Sequence, residues 1–380
     1  MRLILGTLLI ALATTLHAPT AVAAGPDEVT VTGSGYGHGK GMSQYGAKER
    51  AEAGHTHRQI LGFYYPGTAV GSARGSLKVL ITADTTSGVV VRHRSALTVR
   101  SLKSGRVWNL TKRNARRWRI TPLPGNRSSR LWVHTGRWRV VRDIAGQAEF
   151  RAGGRPIRLY VPGGSAVYRG SLRSAVPSSG AGRDTVNVVP LEAYLRGVVA
   201  REMPASWSPH AVRAQAVAAR TYAVHERETT NRGYFDVWDT TRSQVYGGVG
   251  SEHPSSNAAI AATRGEIRTY GRRAAFTQFG SSNGGWTVKG GFPYLPARQD
   301  RFDPATRWTV RISDDAIERA WPSIGDLESV TVAAGDRDRR GSWGGRVLEV
   351  TIKGTKDTAT PTGESFRSIL GLRSTLFTVS

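Results

Sequence analysis

The sequence predicts a mixed α+β protein, in which packed helices and antiparallel strands are accompanied by a β-rich insert. Two patterns favour this class. Apolar residues recur at helical spacing in 190–203 and 209–227, whereas short β-branched or aromatic runs separated by turn residues recur between 77 and 176. The length of 380 residues allows about two or three domains and a sizeable core.

Residues 1–24 have the pattern of a secretory signal peptide. Arg2 gives a positive start, residues 3–16 are mostly apolar, and residues 21–24 are small enough for cleavage. The apolar run is shorter than the roughly 20 residues of a membrane span. We therefore expect a secreted, extracellular protein, with an uncleaved membrane anchor as the alternative.

The segment 25–75 combines a glycine-rich block, residues 33–41, with two short helices. The first helix is predicted from Ser43 to near Gly54, and the second covers 56–64 before Pro66. The block does not match a phosphate-binding loop, because Lys40 is followed by glycine. It does not open a helix after a clear strand either, so the sequence predicts no dinucleotide cofactor.

The segment 76–164 is predicted to be a β-rich insert domain, with strands at 77–81, 89–91, 131–133, 140–142 and 157–161. Tryptophan and arginine alternate within it, as at Arg117, Trp118 and Arg119. One interpretation is a sheet with an aromatic inner face and a solvated basic outer face. The alternative is a surface that binds a carbohydrate or a wall polymer.

The remaining segment, 165–380, should hold the chemistry. A linker is expected at 178–183, and a strand pair at 264–280 follows the two helices. Closing strands are predicted at 309–312, 328–333 and 347–353, with a short helix at 364–371.

Glu202 is the candidate catalytic residue. On a single helix over 190–203, a rotation of about 100° per residue places Glu202 near the middle of the apolar stripe formed by Leu191, Leu195 and Val198. A carboxylate there costs free energy unless it is paired or protonated. It is either a general acid with a raised pKa or an end-of-helix glutamate that emerges into solvent or pairs with an arginine.

The next helix supplies neighbours for that carboxylate. Gln215 and Tyr222 share one side of it, and Arg220 lies on the flank. Arg220 could hold a substrate carboxylate or steady Glu202, or it could be an ordinary surface arginine.

Composition restricts the partner. The formal net charge of +25 calls for an anionic partner, and export argues against nucleic acid. The absence of cysteine excludes disulfides and thiolate metal sites. His38, His55 and His57 have no carboxylates at fixed spacing, so no metal is predicted.

Several motifs resemble the SpoIID/LytB family of bacterial cell-wall proteins. The strongest is residues 191–224, LEAYLRGVVAREMPASWSPHAVRAQAVAARTYAV, and the second is residues 37–68, which begin GHGKGMSQYGA. SQVYGG at 243–248, AAIAATRGEI at 258–267, FGSSNGG at 279–285 and the terminal residues 366–379 also fit. The resemblance implies a SpoIID-like catalytic domain over 165–380.

The resemblance implies a lytic transglycosylase that cuts the MurNAc–GlcNAc linkage of peptidoglycan and leaves 1,6-anhydro ends. Glu202 maps onto the family's catalytic acid/base. Substrate contacts are expected from the residues that match the other motifs: Gln215, Arg220, Tyr222, His38, Ser43, Gln44, Ser243, Gln244, Tyr246, Ser281 and Ser282. The implied partners are glycan strands and anionic wall polymers.

Three departures qualify the resemblance. The glycine-rich signature is N-terminal here, whereas sporulation members carry it near the C-terminus, so either the two signatures meet across the insert or this protein uses the block differently. Ser243 stands where some members have a zinc-binding cysteine, and Lys40 stands where the family has an apolar residue. Other members enhance a wall amidase, so a non-catalytic amidase enhancer is the alternative, and a basic polysaccharide-binding module is a third hypothesis.

Overall fold

The computed structural model describes residues 25–335 and 340–380, so the predicted signal peptide, residues 1–24, lies outside the described residues. Helices and antiparallel strands both contribute to the described chain, which confirms the mixed α+β class. Within these two ranges no helix is both long and apolar enough to cross a membrane.

The described chain begins with β1 (Glu28–Ser34), β2 (Met42–Ser43), α1 (Gln44–Glu52), α2 (His57–Tyr64) and β3 (Ala69–Ser72). Both predicted helices are present. The Ser43 side chain accepts a hydrogen bond from the Gly46 N–H, and Thr56 accepts one from the Gln59 N–H. These caps satisfy backbone donors that would otherwise have no partner, so each helix begins where the sequence places a cap.

A long run of strands follows: β4 (Ser76–Leu80), β5 (Val89–Arg92), β6 (Thr98–Ser101), β7 (Val107–Asn109), β8 (Arg117–Pro122), β9 (Ser128–His134), β10 (Trp138–Ala145), β11 (Ala148–Arg151), β12 (Ile157–Val161), β13 (Gly164–Tyr168), β14 (Ser171–Ala175) and β15 (Asp184–Pro190). Along β9, buried and partly exposed residues alternate without a break. That period of two is what a sheet with one buried face requires.

The central part of the chain is mainly helical: α3 (Leu191–Arg196), α4 (Val199–Glu202), α5 (Pro209–Thr229), β16 (Val237–Trp238), α6 (Pro254–Ala262), β17 (Glu266–Tyr270), β18 (Arg273–Ala274) and β19 (Phe279–Gly280). The C-terminal part contains β20 (Arg307–Ser313), α7 (Asp314–Ala320), β21 (Leu327–Gly335), β22 (Val347–Gly354), β23 (Thr358–Ala359), α8 (Gly363–Ile369) and β24 (Phe377–Val379).

Two sheets form a β-sandwich. One has the strand order β10-β9-β8-β5-β12-β13, and the other has the order β16-β4-β15-β14-β11-β6-β7. Their inner faces share one hydrophobic core, which includes Trp118, Leu131, Phe150 and Leu172. The predicted domain boundary at residue 164 is therefore wrong. Strands β12 and β13 pair across it, and β4 pairs with β15, so 76–190 belongs to one sandwich.

Helix α5 is the centre of the helical layer, and α1, α2, α3, α4 and α6 all pack against it. Most of its residues are buried, and six of these are alanines: Ala211, Ala214, Ala216, Ala218, Ala219 and Ala223. Small side chains let neighbouring backbones approach closely. The segments that carry the glycine-rich signature and the 191–224 signature therefore meet on one helix.

The predicted helix over 190–203 is two helices. It breaks at Gly197, where a Cβ atom would lie 2.6 Å from the Tyr246 ring. A glycine allows this close approach, and the chain turns before α4 begins. The helical-wheel position of Glu202 therefore does not hold across the break, because the Gly197 and Val198 N–H groups donate three residues back, to Tyr194 and Leu195, which interrupts the regular α-helical period.

Three further elements differ from the sequence prediction. Strand β1 was not predicted, yet it pairs with β20 and β24 and joins the N-terminus to the C-terminal part. Helices α6 and α7 are also absent from the sequence prediction. Helix α6 has only Ala and Ile as apolar residues and no clear apolar stripe, so its packing on α5 stabilises it.

Candidate functional site

Glu202 is the last residue of α4 and is partly buried. Its Oε1 accepts a hydrogen bond from the Val245 N–H at 3.2 Å. Across the described ranges this is its one hydrogen bond, and no basic side chain lies within ion-pair distance of its carboxyl group. The second oxygen is thus left without a protein partner.

Burial raises the pKa of Glu202 above its ordinary value of 4.5. The Val245 N–H and the charge of Arg201 oppose this shift but do not cancel it. A carboxyl group with a raised pKa keeps its proton closer to neutral pH, as a general acid must. Of the two sequence interpretations, the structure favours the one in which the carboxyl group is desolvated and unpaired.

Buried aromatic and amide side chains hold the loop that contains Val245 in place. Tyr194 donates to Gln244 Oε1 at 3.1 Å, and Gln244 in turn donates to the Ala219 carbonyl at 3.3 Å. Tyr246 packs on Tyr194 with ring centroids 5.0 Å apart and donates to Asn187 Oδ1 at 2.9 Å. Gln244 and Tyr246, which were predicted substrate contacts, therefore position the loop from a buried layer.

Tyr222 lies on the partly exposed side of α5. Its ring stacks on Phe276 at 5.3 Å, and no hydrogen bond to its hydroxyl occurs within the described residues. Burial and the nearby charges of Glu226 and Glu202 raise the pKa of Tyr222 to about 12. The hydroxyl is therefore protonated at any ordinary pH and is available as a donor beside Glu202.

Glu226 is the other carboxylate that influences Tyr222. It pairs with Arg232 at 2.7 Å and accepts a long hydrogen bond of 3.5 Å from the Ser243 hydroxyl. Ser243 also accepts from the Trp238 N–H at 3.2 Å and is only partly buried. Ser243 therefore lies close to Glu226 and Tyr222, in the loop whose Val245 N–H binds Glu202.

The glycine-rich signature reaches this region through short contacts. Strand β2 pairs in parallel with β19, which places Met42 beside Phe279 and Ser43 beside Gly280. Gln44 donates to Gln215 Oε1 at 3.3 Å. Gln44, Gln215 and Ser43 are all buried, with Gln215 fully inaccessible, so their predicted role as glycan contacts is corrected. Gln44 and Gln215 join the two signatures, whereas Ser43 donates to Asp303.

Two buried aspartates tie the glycine-rich signature to the 279–285 segment. Asp303 accepts hydrogen bonds from the Ser43 and Ser282 hydroxyls at 2.6 and 2.8 Å, and from the N–H groups of Asn283 and Ala305 at 2.8 Å each. Ser282 is thereby used inside the protein. Ser281, its neighbour, is partly exposed, and its carbonyl accepts from the Tyr45 N–H at 3.0 Å.

Asp300 completes the junction from the other side. It accepts from the Tyr64 hydroxyl at 2.6 Å, from the Asn283 side chain at 2.9 Å and from Arg50 at 3.0 Å. A longer hydrogen bond of 3.4 Å comes from the Phe302 N–H. These contacts tie α1 and α2 to the 279–285 segment. Neither aspartate has a recognisable signal in the sequence, because both lie in a loop without regular spacing.

His38 lies in the glycine-rich block and accepts a hydrogen bond at Nδ1 from the Lys40 N–H at 2.9 Å. Burial, followed by the positive charges of Lys40 and Arg346, lowers the pKa of His38 to about 4. His38 is therefore neutral at neutral pH. Its side chain is partly exposed. It packs with the C-terminal part of the chain, since Arg346 donates to the carbonyl of the adjacent Gly37 at 3.2 Å.

Arg220 is placed differently from the sequence expectation. It is 0% exposed, and it donates through Nε and Nη2 to the two oxygens of Glu192 at 2.9 Å each. It also donates to the Ile260 and Glu266 carbonyls. A buried, bidentate pair of this kind joins α3, α5 and α6, so Arg220 is corrected from a substrate contact to a structural residue.

Tyr45 and Trp207 form an aromatic pair that the sequence interpretation missed. Their ring centroids lie 5.0 Å apart, and Tyr45 is 41% exposed. Trp207 follows α4 within the Glu202 signature, whereas Tyr45 belongs to the glycine-rich signature. The signal was available, because both aromatic residues lie inside the two motifs that carry the resemblance.

No cluster of three or more His, Asp or Glu side chains able to hold a metal occurs in residues 25–335 and 340–380. The arrangement instead combines one desolvated carboxyl group, a tyrosine hydroxyl without a partner and exposed aromatic rings. Such a set can protonate an oxygen atom and bind a sugar ring. It contains no obvious nucleophile other than the carboxylate itself.

Comparison with known proteins shows a family similarity over part of the chain. The family model for stage II sporulation protein, SpoIID, matches residues 179–270. The chain is 40% identical to the amidase enhancer of Bacillus subtilis over 130 residues, which are 33% of this chain and 17% of that protein. It is 28% identical to stage II sporulation protein D of Bacillus amyloliquefaciens over 225 residues, which are 53% of this chain and 64% of that protein.

Stage II sporulation protein D of Bacillus subtilis is 31% identical over 151 residues, which are 34% of this chain and 44% of that protein. The chain thus spans less than two thirds of the length of each of these three relatives. The matched region contains Glu202, Tyr222 and the Ser243 loop. In this region the chain matches the SpoIID model and is similar to the SpoIID/LytB family.

Proposed function

We propose that this protein is a secreted, cell-wall-associated lytic transglycosylase that cleaves peptidoglycan glycan strands, with Glu202 as its acid/base. The observation that carries the proposal is the Glu202 carboxyl group, which is desolvated, free of any ion pair in the described residues and bound by a single N–H. Similarity to a family with cell-wall-related members supports the same assignment.

In the proposed reaction, protonated Glu202 gives its proton to the glycosidic oxygen as the bond from C1 of N-acetylmuramic acid breaks. The C6 hydroxyl of the same sugar then bonds to C1, and its proton passes to the Glu202 carboxylate. Atoms balance without water, and the enzyme returns to its starting protonation state. One carboxyl group suffices, so the paired carboxylates of ordinary glycoside hydrolysis are not needed.

Neighbouring residues have supporting roles in this proposal. The Tyr222 hydroxyl binds the sugar beside Glu202, because it is a donor near that carboxyl group and has no hydrogen-bond partner within the described residues. Tyr45 and Trp207 offer apolar ring faces to a sugar, and Ser243, Ser281 and His38 lie in the flanking loops. The desolvation of Glu202 supplies the raised pKa that the first step requires.

The test is product analysis by mass spectrometry after incubation with glycan strands from which the peptides have been removed. The wild-type protein should release anhydro-ended fragments, and Glu202→Gln should reduce their rate of release by about 1,000-fold, within the usual range for loss of a general acid. Glu228→Gln, the same chemical change at an exposed position of α5, should leave the rate unchanged. Wild-type turnover by Glu202→Gln would refute the assignment.

A second candidate function is supported by the similarity to a protein named amidase enhancer. In that case the protein would release no anhydro-ended product from any glycan and would accelerate amide cleavage by an added wall amidase. Measuring both products in one digest separates the two functions, because one yields anhydro sugars and the other yields free stem peptides.

A further inference from the structure

The outer face of the β10-β9-β8-β5-β12-β13 sheet is rich in arginine. Side chains alternate along each strand, so Val91, Trp118 and Leu159 lie in the core while their neighbours face outward. The outward positions include five arginines that are partly or fully exposed: Arg92, Arg117, Arg119, Arg130 and Arg158. Asp143 is the single acidic residue in the six strands.

Three of these arginines form a row across adjacent strands. Arg92 of β5 is the direct cross-strand partner of Arg117 of β8, and the register that pairs Leu159 with Val91 brings Arg158 of β12 beside Arg92. Strands in a sheet are about 4.8 Å apart, so the row repeats at roughly that interval. Like charges directly opposite each other destabilise a sheet unless an anion lies between them.

No protein carboxylate neutralises the row. Within the described chain, Arg92, Arg117 and Arg158 take part in no ion pair, and Arg158 binds only the Ser165 hydroxyl, at 3.0 Å. Asp143 is committed to Arg130 at 2.7 Å. The row therefore keeps its full positive charge toward solvent.

Aromatic rings hold the guanidinium groups in place. Arg117 lies over the Tyr160 ring at 4.2 Å, and Arg119 lies over the rings of Trp132 and Trp138 at 5.0 and 4.5 Å. Stacking leaves the edge of a guanidinium free while reducing its motion. Arg117 of the row and the neighbouring Arg119 are thereby pre-ordered, which lowers the entropy cost of binding an anion.

We infer that the outer face of this sheet binds a phosphodiester-linked anionic polymer of the cell wall, with the Arg158–Arg92–Arg117 row along the polymer chain. The guanidinium fork matches two phosphate oxygens, and a polymer with one charge in every repeat fits a row better than isolated carboxylates do. The inference rests on the proposed cell-wall location, but it does not depend on cleavage by Glu202.

The experiment measures binding of a fluorescent poly(glycerol phosphate) chain to the purified protein at several salt concentrations. Changing Arg92, Arg117 and Arg158 together to Gln should weaken binding by about 30-fold at low salt. It should also make the slope of log affinity against log salt concentration shallower by about 2. This value follows from the loss of three contacts, each of which releases about 0.7 ions. As a control, Arg272, Arg311 and Arg319, which are exposed but lie outside this sheet, are changed together to Gln. This control variant should keep the wild-type affinity and slope.

Equal affinities for the row variant and this control would overturn the inference. Equally tight, row-dependent binding of polyglutamate or single-stranded DNA would also overturn it, because the face would then lack preference for a wall phosphopolymer. An unchanged melting temperature shows that the row variant is folded. The row variant should cleave polymer-free glycan at the wild-type rate, and Glu202→Gln should bind the polymer normally. Failure of the polymer-binding inference can therefore be distinguished from failure of the proposed function.

Discussion

Glu202 and the aspartate pair Asp300 and Asp303 are all shielded carboxyl groups, but their surroundings differ. Each aspartate accepts four hydrogen bonds, from side chains and backbone N–H groups of separate segments. Glu202 accepts one. A buried charge that is fully bonded stabilises a structure, whereas one left under-bonded retains the reactivity that catalysis needs.

The largest expected effect concerns Asp303. Asp303→Asn replaces an acceptor-only group with an amide whose NH₂ faces existing donors, so the free energy of unfolding should fall by about 2–4 kcal/mol. Denaturation by urea measures this change. Asp357→Asn, on an exposed loop, should change the free energy of unfolding by less than about 0.5 kcal/mol. Equal changes in the free energy of unfolding at both positions would contradict the structural role assigned to Asp303.

A smaller effect is expected at Tyr222. Tyr222→Phe keeps the ring stacked on Phe276 but removes the unpartnered hydroxyl, so kcat/KM for glycan cleavage should fall by about 10-fold, the loss expected for one hydrogen bond to substrate. The melting temperature should not change. Tyr270→Phe, at an exposed tyrosine, serves as the control. A drop in stability without a drop in rate would make Tyr222 part of the packing alone.

The smallest effect is the pH dependence of stability contributed by Glu202. Its pKa is raised in the folded state, so its protonated form favours folding below about pH 4.5, and that contribution is lost as pH rises through the raised pKa. Glu202→Gln should therefore become more stable relative to wild type as pH increases from 4 to 8. Thermal unfolding at a series of pH values tests the sign, and a difference that is constant with pH would contradict it.

Several elements could be predicted from sequence because their signals are local. The cap residues Ser43 and Thr56 and the prolines that open α5 and α6 act within one turn of helix. Glu202 was identified by its motif and by a helical wheel drawn over one continuous helix. The helix breaks at Gly197, so the wheel does not describe the position of Glu202, and the motif remains as the sequence signal for that residue.

The burial of Arg220, Gln44 and Gln215 could not be predicted in the same way. Each has polar groups typical of a binding site, and each finds its partner far along the chain: Glu192 for Arg220, and Gln215 for Gln44. Whether a polar side chain faces a substrate or another side chain depends on which segments meet, and spacing within one segment does not contain that information.

The sequence by itself determined the α+β class, the motifs of the SpoIID/LytB family and the identity of the candidate acid, because composition, periodicity and short motifs are properties of neighbouring residues. Only the tertiary structure decided that Glu202 is desolvated with a single N–H partner, that Asp300 and Asp303 tie the glycine-rich signature to the 279–285 segment, and that three arginines form an unneutralised row. These features depend on contacts between residues distant in the chain, and electrostatic energies are set by those contacts.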